Sequence, residues 1–472
     1  MKKMVLSLLL LVIITFSSCT ISPETFSSDT SSEESSSEFE FPENDHGSSL
    51  NIPDTSSDVS QDDFSSVDSS DPVSSSGSSS SGGSSSTGSS SSGYSSPVSS
   101  SSGSSSSSSS STSSSNTSSS TPPKEDTYLP KEEISNFYGY SILSSNEQDA
   151  YAALYNAIEN QVTEVNVKDY GVTKDSLKKI MSYLVSDHAE LIGLSKSYNY
   201  TTDSGSGNVV AVSFSYTSAK SERDKKLKKA ASAAAPVINS LKTKSTYDKI
   251  KGVHDWIINN TQYDTSAASM GSSQSDAFNI YGVFVNKKAV CEGYSKAFQY
   301  MMYKLGIPCL IVYGESGGVY HSWNLVSVDG VYYHIDVTQD DPISASEPIL
   351  LYSYFLLTDS DIKVTHSVSN DGSNYPLPSA TSSKMNYFVN ENRYLTVYNR
   401  DKVTEVISKD VKNRSKFTYI RFSSQAELDK ATEKLGNIIS QVKNDTHVSF
   451  SYAKIVSDRS PVYALTLRIR YS

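Results

Sequence analysis

Three side chains suited to acyl transfer lie between positions 290 and 341: Cys291, His321 and Asp336. A thiolate can attack a carbonyl carbon, an imidazole can take and return the proton, and a carboxylate can fix the imidazole's tautomer. Cys291 opens a helical pattern in which Tyr294, Ala297, Phe298, Met301, Met302 and Leu305 recur at helical spacing, Gly306 stops the helix and Pro308 follows. The N-terminus of a helix carries the positive end of its macrodipole, a setting that favours a thiolate. A lone cysteine is more often a buried apolar residue. Cys309, inside the apolar strand pattern of 309–313, fits that second description.

The histidine and the aspartate are brought together by a hairpin. Segments 321–328 and 331–337 flank Asp329-Gly330, a two-residue turn signal. That turn sets Val328 opposite Val331, Trp323 opposite Asp336 and His321 opposite Thr338. His321 and Asp336 then share one face as diagonal neighbours within hydrogen-bond reach. The other face takes Ser322, Asn324, Val326, Val328, Val331, Tyr333, Ile335 and Val337. A slip of one residue would separate the pair. His334 falls on the His321 face opposite Leu325 and reads as a structural or surface residue. Asp336, Asp340 and Asp341 could suggest calcium, but three acids leaving a strand read as an ordinary polar loop, so no metal and no cofactor is expected. His254, Asp255 and His366 show no convincing partner in the sequence. An acyl enzyme also needs donors for an oxyanion. The backbone N–H of Cys291 is the first candidate and Tyr281 the second, with a core aromatic as the competing reading of Tyr281.

The runs AVCEGYSKAFQYMMYKLGIPC and HSWNLVSVDGVYYHIDVTQDDP resemble the bacterial transglutaminase-like superfamily, a papain-like cysteine fold, over roughly 245–366. The Gly-Tyr after Cys291, the His-Ser-Trp-Asn box and the Asp336-x-Thr338 pair carry the likeness. It implies Cys291 as nucleophile, His321 as general base and acid, and Asp336 as the orienting carboxylate. Gln339 stands where such sequences more often show Trp. The YFLLTD-x-x-I stretch at 354–362 resembles Firmicute lipoproteins that carry this domain.

The remaining sequence supplies the setting. The chain's net charge of -12 arises from 40 basic and 52 acidic residues. Residues 20–123 hold 14 of the acidic ones and no Lys or Arg, so 124–472 balances at 38 of each sign. A nucleic-acid partner is excluded, since phosphate neutralisation needs a cationic excess. Three cysteines in 472 residues exclude a disulfide scaffold. A Cys291–Cys309 bridge is opposed by the intervening helix, which holds them more than ~20 Å apart.

Residues 1–19 read as a lipoprotein signal peptide: two lysines, an apolar run too short to span, and Phe16-Ser17-Ser18-Cys19 resembling a lipobox with Cys19 as lipid acceptor. Residues 20–126 form a Ser-rich acidic linker expected to be disordered. An α+β architecture follows: an N-terminal module at 127–240, a transglutaminase-like catalytic domain at 241–370 and a small C-terminal α/β module at 371–472. Expected helices start at Ser144-Ser145-Asn146-Glu147, at Thr173, at Glu222 (with Pro236 bending or interrupting it), around Tyr247–Ile257 and at Ser424 through about Val442. Expected strands lie at 208–216, 417–422, 448–455 and 462–471.

Taken together, the sequence predicts a thiol acyl enzyme, lipid-anchored on the outer face of a cell membrane, most simply that of a Gram-positive bacterium. Its expected substrates are proteins or peptidoglycan peptides, with hydrolysis slightly favoured over amine cross-linking. The alternative is a non-catalytic surface binding or adhesion module on the same fold, which the 31 Tyr and two flanking modules without visible chemistry would suit. Iodoacetamide separates the two. As a nucleophile, Cys291 is expected to alkylate far faster than Cys309 near neutral pH, whereas equal, slow rates would favour the binding module.

Overall fold

The computed structural model describes residues 37–40, 134–270, 275–343, 348–370, 374–459 and 462–472. Cys19 and almost all of the Ser-rich segment lie outside the described residues. The N-terminal layer comprises β1 (Ser37–Glu40), α1 (Ser145–Glu159), β2 (Glu164–Asn166), α2 (Lys174–Asp187), β3 (Leu194–Thr202) and β4 (Val209–Tyr216). Its sheet has the order β1-β3-β4-β2. β1 falls within the linker expected to lack structure. Its backbone adds antiparallel to β3, whose open edge offers unpaired N–H and C=O groups to an extended segment. The helix starts follow the caps: the Ser144 N–H donates to Glu147 Oε2 at 3.0 Å, and the Ser176 N–H donates to Thr173 Oγ1 at 3.2 Å.

α3 (Lys220–Leu241) continues through Pro236 instead of breaking there. Pro removes one N–H and so leaves the Ser232 carbonyl without its partner, but Ser232 is exposed and water can serve it. Arg223, 2% exposed, donates to the Ile158 and Glu159 carbonyls at the C-terminus of α1 and ties the first layer to α3.

The central part runs α4 (Thr246–Asn260), β5 (Gln262–Tyr263), β6 (Lys288–Ala289), α5 (Cys291–Lys304), β7 (Cys309–Ser316), β8 (Val319–Val328), β9 (Val331–Ile335) and β10 (His366–Val368). Its main sheet has the order β10-β7-β8-β9. The hairpin register is the one that Asp329-Gly330 dictates, with Val328 opposite Val331 and Leu325 opposite His334. The ladder stops at the Asn324–Ile335 pair, short of the expected Trp323–Asp336 and His321–Thr338 pairs. From Asp336 the chain turns out of the sheet: the Asp336 N–H donates to the Tyr354 carbonyl, and the Thr338 and Gln339 N–H groups turn back onto the Asp336 side chain.

Alternation along these strands builds two cores. Val326, Val328, Tyr333 and Ile335 face α3, α4 and α5 through Ala234, Ile257, Phe298 and Met301. Leu310, Val312, Trp323 and Leu325 face the first layer through Leu154, Ile180, Leu184 and Phe214. The sheet is buried on both sides, as its nearly unbroken apolar strands require.

The C-terminal part contains β11 (Tyr394–Leu395), α6 (Arg400–Lys412), β12 (Phe417–Phe422), α7 (Gln425–Glu433), α8 (Leu435–Thr446), β13 (Phe450–Arg459) and β14 (Val462–Tyr471). The sheet order is β11-β12-β14-β13. The single helix expected after Ser424 is two, divided at Lys434, and β11 and α6 extend the module towards its N-terminus. The Arg393 guanidinium grips Asp410 in a fork at 2.7 and 2.8 Å, beneath β12.

Gly314 is where the sheet is tightest. A Cβ there would collide with the Ser367 carbonyl oxygen of β10 and press on the Trp323 ring. Gly314→Ala is therefore expected to push β10 off β7 and destabilise the fold by about 1–3 kcal/mol. Urea unfolding of both chains measures this; an unchanged midpoint would contradict the packing.

Candidate functional site

Cys291, His321 and Asp336 meet where the start of α5 crosses the end of the β8–β9 hairpin. Helix α5 starts where it does because Val290 is extended and its N–H is held by the Ala277 carbonyl. Gly293 makes that docking possible, since a Cβ there would strike the same carbonyl. One turn on, Ser295 Oγ donates to the Ser322 carbonyl at 2.9 Å, and Asn324 Nδ2 donates to the Ser295 carbonyl at 3.1 Å. These bonds pin the first turn of the helix to the strand residue next to His321 and set the cysteine–histidine spacing.

His321 Nε2 donates to Asp336 Oδ2 at 2.7 Å. Cys291 is the next group after Asp336 to act on this imidazole. Burial opposes a charge on this ring, but the carboxylate, and after it the sulfur, outweigh burial and push His321 up to about 10. The ring therefore carries both protons at neutral pH. Burial would raise the Asp336 carboxyl, yet the His321 charge and the bonds it receives hold it well below the usual carboxylate range. Cys291 is half-buried and Cys309 is a separate free thiol, pushed well up by burial.

The carboxylate has a second histidine. His366 Nε2 donates to the same Asp336 Oδ2 at 3.0 Å, and His366 Nδ1 lies 2.8 Å from Thr365 Oγ1. The sequence showed no partner for His366, because β10 reaches the site only by pairing with β7. The Trp323 ring lies nearly parallel to His321, 6.2 Å away at 17°, and meets His366 edge-on at 4.9 Å. Trp323 is held in turn: its Nε1–H donates to His334 Nδ1 at 3.0 Å, and His334 Nε2 donates to Asp359 at 2.9 Å. His334 is thus a buried structural residue, kept neutral by burial.

The loop after Asp336 is buried. Asp340 and Asp341 are 0% and 9% exposed. His254 bridges Asp255 at 3.0 Å and Asp340 at 3.2 Å, and Asp340 also accepts from the Tyr354 N–H. The expectations of an ordinary polar loop and of an unpartnered His254 and Asp255 are both corrected. A buried acid needs donors, and distant α4 supplies one. Tyr294 donates to Asp341 at 2.7 Å, and burial pushes that carboxyl up to about 7. Gln339, in place of the usual Trp, reaches Ser316 Oγ at 3.3 Å.

His321, His366 and Asp336 each offer one ligand atom within 4.8 Å of the others, a spacing that could hold a cation. Both Nε2–H groups point at one carboxylate oxygen, so hydrogen bonding alone accounts for the cluster. Tyr281 stands apart: it packs on the helical core under the Lys226 ammonium, 5.3 Å from its ring centroid. Tyr263 is the aromatic whose hydroxyl senses the site. β5 pairs parallel with β6, which sets Tyr263 beside Ala289, two residues before Cys291. Burial first, and the Asp336 charge after it, drive its hydroxyl far above the usual tyrosine value, so it remains an O–H donor. A two-residue parallel bridge leaves no periodicity in the sequence by which to find it.

Residues 232–337 match the family model described as the transglutaminase-like superfamily, and the chain contains a transglutaminase-like core. Among curated proteins it is similar to the kyphoscoliosis peptidases of Homo sapiens (26% identical over 127 residues; 24% of this chain, 19% of the relative) and Mus musculus (27% over 106 residues; 20% and 16%). The matched region thus spans less than a fifth of those relatives' length. Among solved structures, a TGase crystal structure is 23% identical, covering 28% of this chain and 41% of that one at a TM-score of 0.22.

The charge pair sets a pH signature. His321 lies above its ordinary value of about 6.5, so its share of stability is complete below that pH and is lost as pH rises towards about 10. Asp336 lies below its ordinary value of about 3.9, so its share is present above that pH and is lost in stronger acid. The pair contributes fully between about pH 4 and about pH 6.5. Asp336→Asn is expected to cost about 3–5 kcal/mol in that window and progressively less towards pH 10. Chemical unfolding of both chains at several pH values tests this; a difference that does not vary with pH would refute it.

Proposed function

We propose that this protein is a thiol acyl enzyme acting on amide or peptide bonds through Cys291, His321 and Asp336 of its transglutaminase-like core. The observation that carries the reading is the buried His321–Asp336 hydrogen bond, together with Cys291 at the start of the helix that packs on the His321 strand.

The Cys291 thiolate attacks the amide carbonyl carbon, and the carbonyl electron pair moves onto oxygen. The Cys291 backbone N–H, unused inside α5, and the Tyr263 O–H donate to that oxyanion. As the tetrahedral intermediate collapses, the C–N bond breaks and His321 gives its Nδ1 proton to the leaving amine. A thioester remains on Cys291. The neutral imidazole then takes a proton from the incoming nucleophile, whose attack on the thioester returns the thiolate. Water gives hydrolysis and an amine gives cross-linking; hydrolysis is slightly favoured. Asp336 keeps its charge throughout and holds the Nε2–H of His321.

An anchor at Cys19 and a long polar spacer would display this core outside a bacterial membrane, where surface proteins and peptidoglycan peptides are the available amides. Incubation of the protein with Gram-positive cell-wall fractions, followed by mass spectrometry, tests the reading. The wild type is expected to release new amine and carboxylate ends, Cys291→Ala none, and Tyr263→Phe about 10²-fold less per unit time. Equal release by Cys291→Ala would sink the assignment.

A further inference from the structure

We infer that His366 is a positioning residue for the acyl-transfer site: a second, neutral imidazole that locks the Asp336 carboxylate in the orientation His321 requires. The inference rests on the thiol acyl-enzyme reading and deepens it. Its basis is the donor set of one side chain. A carboxylate offers about four acceptor positions, and those of Asp336 are filled. Oδ2 accepts from His321 Nε2 at 2.7 Å and His366 Nε2 at 3.0 Å, while Oδ1 accepts from the Thr338 N–H at 3.0 Å and the Gln339 N–H at 3.1 Å.

Proton placement follows from the acceptors. An ionised carboxylate only accepts, so both Nε2 atoms carry hydrogen. His366 is held down by burial first and then by the nearby His321 charge, although Asp336 and the Ile362 backbone work against both, and its ring is neutral at neutral pH. Nδ1 of a neutral ring with hydrogen on Nε2 is an acceptor. The 2.8 Å contact is therefore a bond from the Thr365 hydroxyl to His366 Nδ1. Thr365, His366 and Asp336 form a directed relay that fixes one tautomer.

The surroundings support a neutral role. His321 and Asp336 are the charged groups facing His366 from the hairpin, and neutral His334 lies beyond. β7 sets Ser316 opposite His366, with Glu315 one position along, and the Tyr354 ring meets His366 edge-on at 5.5 Å. A second imidazolium here would compete with His321 for one oxygen. A neutral donor adds restraint without adding charge. Without it, Asp336 Oδ2 could turn and the His321 ring would lose its fixed plane relative to Cys291.

Two measurements on the full chain test this. Nitrogen-15 NMR of histidine-labelled wild type is expected to show His366 as the neutral Nε2–H tautomer near neutral pH. A charged ring, or hydrogen on Nδ1, would overturn the inference without any variant. The second is iodoacetamide alkylation of Cys291 against pH, read by peptide mass spectrometry with Cys309 as internal reference. His366→Ala is expected to move the acid limb of Cys291 reactivity up by about one pH unit, and His366→Gln, which keeps an N–H donor, to restore most of it. A limb unmoved in His366→Ala, with only the melting temperature lowered, would show a packing role and refute the inference. Wild-type Cys291 reacting no faster than Cys309 would instead defeat the acyl-enzyme reading on which it rests.

Discussion

The site depends on one buried carboxylate. Asp336 is 1% exposed, and an ionised carboxyl at that depth survives only if its acceptor positions are met. Each partner comes from a different place: His321 from β8, His366 from β10, and two amides from the turn that begins at Asp336 itself. The turn explains why β9 ends one residue short of Asp336. A carboxylate left in the ladder could not receive the Thr338 and Gln339 N–H groups. The strand end and the site are thus one feature.

The rest of the architecture steadies these donors. Trp323 lies parallel to His321 and edge-on to His366, and is held by His334, itself bonded to Asp359, so both imidazoles share one aromatic wall. Ser295 and Asn324 clamp α5 to β8, which fixes where Cys291 stands. Behind the hairpin, His254 joins α4 to Asp340 and anchors the loop that leaves Asp336. The layer built from α1 and α2 closes the second face of the sheet, so Trp323 is buried and its indole must find a partner.

Much of this was legible because it is set locally. Asp329-Gly330 fixes the register of the hairpin, and with it the shared side of His321 and Asp336. Alternation assigns Val326, Val328, Tyr333 and Ile335 to the helical core. The spacing from Tyr294 to Leu305, with Gly306 after it, marks α5. Other residues stayed hidden for a common reason. His366 lies 30 residues beyond Asp336 on a three-residue strand that joins the far edge of the sheet. Tyr263 is placed by a two-residue bridge. His254 reaches Asp340 across 86 positions. Of the two outcomes expected at Pro236, the helix does not break there, since water can serve the carbonyl of exposed Ser232.

The sequence by itself therefore determined the side-chain types at the candidate site, the helix that opens at Cys291 and the hairpin that pairs His321 with Asp336. These follow from turn chemistry and from periods of 2 and 3.6 residues, which act over one or two elements. Only the tertiary structure decided how the buried charges are satisfied: which second histidine completes Asp336 and which residue supports Trp323. Those choices are made by groups far apart in the chain, because a polar atom removed from water takes whatever donor the packed elements bring to it.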